Sequence, residues 1–124
     1  MSRAGNPASM PMPQDQLEEL TATFSGIATV EEGGLTYVVF EHITLPANCS
    51  PAAVRALLCP VPRDGYPSRL FLSQKVEHRG RGQNWNAAGV VIIGLQWWAA
   101  SWKINATNQR LINMVGSHLE AFRG

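Results

Sequence analysis

Ser101 and Lys103 stand two positions apart in the stretch GLQWWAASWK, residues 94–103, which also holds three of the chain's four tryptophans. A serine hydroxyl becomes an acyl acceptor only when a base within hydrogen-bond reach takes its proton. Lysine is one such base, and residues two apart point to the same side of an extended chain. His78 or His118 can serve instead if folding brings either one near. The plainer reading is a turn serine beside a surface lysine, and it is favoured, because a motif without geometry has a high false-positive rate.

The other nucleophiles are Cys49 and Cys59. Cys59 lies between Leu58 and Pro60 in an apolar run, where a thiol behaves as a small hydrophobe with a raised pKa. Cys49 sits in the loop-like LPANCSP and is expected to be the more exposed thiol, with no histidine or cation beside it in sequence. No run resembles a signal peptide, so both thiols are expected reduced in a cytoplasmic protein. His42, His78 and His118 are widely separated and no Cys-x-x-Cys occurs, so no metal site is expected. No phosphate-binding glycine loop is present either, so no cofactor is expected. The formal net charge of +1, with only Arg79 and Arg81 as a basic cluster, gives no case for nucleic acid. The longest apolar run, AAGVVIIGL at 87–95, is too short to span a bilayer.

The elements that must position these groups follow from spacing. Residues 1–13 are rich in Pro, Gly, Ser and Ala and are expected to be a disordered tail, with residues 14–124 as one domain. Leu17, Leu20 and Phe24 predict a helix over 14–24. GIATVEE and LTYVVFEHITL flank Gly33-Gly34, a dipeptide suited to a tight hairpin turn. The second of these strands is apolar on both faces and should be central in its sheet. AVRALLCPV at 53–61 and RLFLSQKV at 69–76 are the next strands, separated by the turn PRDGYPS. Residues 77–86 are expected to be loop, and 87–104 an irregular apolar segment. Trp98 and Trp102, four apart, share one face if that segment is helical. Leu111, Val115, Leu119 and Phe122 predict a C-terminal helix that Thr107 or Asn108 can cap. The sum is an α+β domain with an N-terminal helix, a four-stranded antiparallel meander, an irregular segment and a C-terminal helix.

That order, with Tyr66-Pro67 after the third strand, His78 after the fourth and the pattern NWNAAGVVII at 84–93, resembles the ubiquitin-conjugating (UBC) fold. The family pattern is N-x-N-x-x-G-x-x-C-L. Asn84, Asn86 and Gly89 fall on its matching positions, and Gln96-Trp97 on the tryptophan that follows. The resemblance covers roughly residues 14–122. It implies Asn84 as the donor to a tetrahedral oxyanion and Trp97 as the family's tryptophan beside the site, while Trp85, Trp98 and Trp102 are read from their positions as binding or packing supports. A loop asparagine bonded to nearby backbone is the equal alternative for Asn84. Two departures stand out. Five residues separate His78 from Asn84 where the family has one proline, and Ile92 occupies the position of the catalytic cysteine.

The resemblance is to compact UBC-like proteins of bacterial ubiquitin-like conjugation operons, for which antiviral defence is the implied setting. Two functions follow as expectations. One is a binding component without thioester chemistry, partnered by a ubiquitin-like protein and an activating-like enzyme. The other is a non-canonical conjugating enzyme that carries its modifier on Ser101 or, less favoured, on another nucleophile such as a cysteine. An unrelated α+β scaffold is the third.

Overall fold

The computed structural model describes residues 13–80, 84–104 and 109–123. The first apolar spacing forms α1, Gln14–Thr23. It starts where the amides of Gln16 and Leu17 donate to the Pro13 carbonyl, and it ends at Phe24, whose extended backbone leads the chain away. Leu20 is fully buried, and Leu17 and Phe24 pack on the same core.

Two long strands follow, β1 (Ser25–Glu32) and β2 (Leu35–Thr44). Gly33 and Gly34 join them at φ +61° and +80°, left-handed angles that a Cβ atom disfavours. Then come β3 (Cys49–Ser50), β4 (Ala53–Cys59), β5 (Arg69–Leu72), β6 (Glu77–His78), β7 (Trp85–Ile92) and β8 (Leu95–Ala100). The six longer strands form one sheet in the order β1-β2-β4-β5-β8-β7, and β3 pairs with β6 apart from it. Every described pairing between strands is antiparallel. β2 buries Tyr37, Val38, Val39 and Phe40 in succession and lies between β1 and β4, as a strand apolar on both faces should.

The sequence expectation fails after residue 77. The supposed irregular segment is a hairpin, β7 and β8, which extends the four-stranded meander to six strands. Ile93 and Gly94 make its two-residue turn at φ +50° and +75°. A continuous apolar run has no period to separate strand from helix, so the turn and the pairing decide. Trp98 and Trp102 accordingly share no helical face. Trp97 points into the core with none of its surface exposed, and its indole N–H donates to the Ile92 carbonyl at 3.0 Å.

The C-terminal spacing forms α2, Leu111–Leu119, followed by a 3₁₀ turn at Glu120–Phe122. The expected caps, Thr107 and Asn108, lie outside the described residues. The Leu111 amide is capped across space by the Gln16 side-chain oxygen at 2.8 Å. Arg110 adds ion pairs to Asp15 and Glu19 of α1.

The two faces of the sheet are buried in different ways. One carries both helices: Leu20, Leu111, Val115 and Phe122 pack there on Val38, Phe40, Leu58 and Leu72. The other is covered by the sheet itself. Tyr37, Leu57, Phe71, Ile92 and Trp97 form its cluster, with Val30 and Leu35 from one end of the sheet and Val90 and Ile93 from the other. The ends approach closely enough for the Ile93 amide to donate to the Glu32 carboxylate at 2.9 Å. Each fully buried large apolar side chain stabilises this arrangement by roughly 1.5–3 kcal/mol before entropic costs. Among the described residues no helix is long and apolar enough to cross a membrane.

Candidate functional site

The β7–β8 pairing brings two of the sequence-derived residues together. Trp85 opposes Ala100, and just beyond that pair the Ser101 amide donates to the Asn84 carbonyl at 2.7 Å. Ser101 and Lys103 are both exposed, as is Asn84. Among the described residues the Ser101 hydroxyl has no hydrogen bond to a lysine or histidine. What ties Asn84 to Ser101 is backbone, which orients the strand ends and activates nothing.

His78 lies elsewhere, on β6, buried and paired in register with Cys49 of β3. Folding thus sets a histidine opposite the thiol that has none beside it in sequence. The thiol, however, donates to the Phe122 carbonyl at 3.5 Å, and partial burial raises its pKa. Cys49 is half-buried, in a short strand where a loop was expected. Cys59 is fully buried in β4, and desolvation raises its pKa too. Both cysteines are free.

The aromatic residues divide by depth. Trp97 and Ile92 are fully enclosed in the self-covered face. Trp85 is half-buried against the opposite core, its ring 6.2 Å from that of Phe122. Trp98 is half-buried on β8, opposite Leu72. Trp102 is 39% exposed, yet its indole N–H donates to the Ser117 carbonyl at 2.9 Å and so ties the segment after β8 to α2.

The most chemically pointed group joins His118, expected as an alternative base for Ser101, to Ser68, which was not among the expected site residues. Ser68, directly after the Tyr66-Pro67 turn, has its hydroxyl 2.9 Å from Nε2 of His118 in α2. Both are nearly sealed, at 4% and 5% exposure. Burial, with the Arg69 charge adding to it, pushes the His118 pKa down to about 4, so the ring is neutral at pH 7. Arg69 is itself buried, and desolvation lowers its pKa. Its guanidinium lies 4.0 Å over the Tyr66 ring, donates to Asn86 Oδ1 at 2.8 Å and reaches the Ala100 carbonyl at 3.5 Å. Neutral acceptors and an aromatic face therefore hold this cation.

A neutral histidine on a serine hydroxyl, with a cation in the next residue, has the composition of a nucleophile and base beside an oxyanion stabiliser. Space decides against that use. The cavity beside His118 and Arg69 measures about 10 Å³, room for one water at most. The pair instead satisfies two buried polar groups and fastens α2 to the start of β5. One sequence signal points to it: His118 falls on the apolar stripe of Leu111, Val115 and Phe122, where a histidine needs a partner.

Among the described residues no group of three His, Cys, Asp or Glu side chains is placed to hold a metal ion. Comparison with protein-family models, with curated proteins and with solved structures finds no match for this chain.

Proposed function

We propose that this chain is a UBC-like component of a ubiquitin-like conjugation pathway that binds the modifier, its activating-like enzyme or both, and carries no thioester. The observation behind this reading is Ile92. It occupies the position of the catalytic cysteine in the sequence resemblance, and its side chain is fully buried in the core. No acyl group can be loaded on a hydrocarbon side chain at a sealed position. The order of elements supports the same reading: α1, then β1, β2, β4 and β5 as successive neighbours, with Tyr66-Pro67 between the last two.

Reconstitution tests it. The chain is mixed with ATP and with the ubiquitin-like modifier and activating enzyme from the organism that encodes it. The expected result is a non-covalent complex by calorimetry and no adduct by mass spectrometry. An activating-enzyme-dependent adduct would overturn the reading. If that adduct survives Cys49→Ala and Cys59→Ala but is lost in Ser101→Ala, the chain is a serine-based carrier. If nothing binds, it is an unrelated scaffold.

A further inference from the structure

β5 and β8 are neighbours in the sheet, but their register contains a single pair, Leu72 with Trp98. Beyond Leu72 the pairing with β8 ends while the chain stays on β4: the Ser73 amide donates to the Arg55 carbonyl and its hydroxyl accepts from the Arg55 amide. The first part of β8 therefore has β7 on one side and, among the described residues, no strand on the other. A notch of about 290 Å³ opens there, lined by Arg55, Ser73, Leu95, Gln96, Trp97 and Trp98.

The backbone facing this notch is set by the hairpin. Ile92 and Leu95 close the two-residue turn, so their N–H and C=O groups face one another. The alternation then turns the N–H and C=O of Gln96 away from β7, on the side where Trp98 meets Leu72. An open sheet edge of this kind is a template for another strand. Its apolar wall is exposed, with Leu95 at 40%.

Arg55 supplies the charge. Its guanidinium gives one hydrogen bond, from Nη2 to Glu41 at 3.1 Å, while Nε is shielded from solvent with no acceptor. Being shielded, Nε is out of an incoming ligand's reach, so an added acid would meet the exposed end of the guanidinium, whose side chain is 42% exposed. A guanidinium can also take two carboxylates at once, as Arg110 does with Asp15 and Glu19 in this same molecule. Glu41 therefore leaves capacity for a second acid.

We propose that the notch between Arg55 and residues 95–98 receives an extended acidic segment of a partner protein as an added strand, its backbone on Gln96 and its carboxylate on Arg55. The occupant is a peptide strand because the free groups are backbone amide and carbonyl. It is acidic because the spare donors belong to a cation. This inference stands apart from the ubiquitin-pathway reading, since it depends only on the open edge and Arg55.

The probe is a capped heptapeptide, acetyl-Thr-Val-Asp-Val-Thr-Val-Thr-amide, titrated into the ¹⁵N-labelled chain. Weak binding is expected, with amide shifts at Gln96 and Trp98 and at the Trp98 indole. Replacing the peptide's Asp by Asn, or Arg55→Gln in the protein, should each weaken it at least about fivefold, and the two changes together should do little more. Gln96→Pro removes the free amide without touching the β7 ladder and should abolish binding. Because that variant can misfold, a peptide with alternate N-methylated amides serves as the second probe, and it should not bind. Overturning results are the absence of any shift, equal binding of the N-methylated peptide, or indifference to both the Asp replacement and Arg55→Gln.

Discussion

Two serines of this chain are in reach of chemistry by residue type, and they differ in opposite ways. Ser101 is open to solvent and follows β8, but among the described residues its hydroxyl has no base. Ser68 has its base, His118, at hydrogen-bond distance, but the pair is sealed beside a cavity of about 10 Å³. Accessibility without activation and activation without accessibility both fall short of catalysis. The difference separates a group that holds the fold from one that sits on its surface, and three experiments probe it.

The largest effect should come from pH. His118 is held near pKa 4 in the fold against an ordinary 6.5. Between those values the unfolded chain binds the extra proton, so stability rises with pH there. Its contribution is complete above pH 6.5 and lost as pH falls toward 4, by on the order of 3 kcal/mol. Denaturant titrations at pH 7.5, 5.5 and 4.5 should show this loss, and His118→Gln should flatten the slope. An unchanged slope in that variant would mean that His118 is not what senses pH.

Next comes Ser68→Ala, which leaves the buried His118 Nε2 without its partner. A loss of about 1–3 kcal/mol in urea unfolding is expected. A fluorophosphonate probe should leave Ser68 unlabelled in the native protein. Rapid labelling at Ser68 would reverse the comparison and make the buried pair an accessible nucleophile.

The smallest effect belongs to Ser101→Ala and Lys103→Ala. Both side chains are exposed, and the hydrogen bond that anchors Ser101 is made by its backbone. Each change should alter stability by no more than about 0.5 kcal/mol. A larger loss would show that the surface serine has a structural partner.

Local pattern was enough for several elements. Leu17, Leu20 and Phe24 marked α1, and the Gly33-Gly34 turn placed β1 against β2. The run through Tyr37 and Phe40 marked a central strand, and Leu111, Val115 and Phe122 marked the C-terminal helix. The two helices rest on a 3.6-residue period, the hairpin on its turn dipeptide and the central strand on a run apolar on both faces, and one short window contains each. The stretch from Ala87 to Ala100 had no such period, and its hairpin stayed hidden. Ile93 concealed it further, because a β-branched residue at φ +50° is not what a two-residue turn prefers.

The candidate site was less legible than the fold. Asn84 and Ser101 do meet, through their backbones, but His78 stands against Cys49 on another pair of strands. Ser68 and His118 are 50 residues apart and Arg69 and Asn86 are 17 apart, so no window shows either contact.

By itself, then, the sequence determined the types and order of its strongly periodic elements and the burial of Cys59, because these depend on neighbours along the chain. Tertiary structure alone decided that β8 pairs beside β5, that the far face of the sheet covers itself, and that His118 is neutral and bound to Ser68. Register, enclosure and desolvation depend on groups distant in sequence, and they exist only once the chain has closed around them.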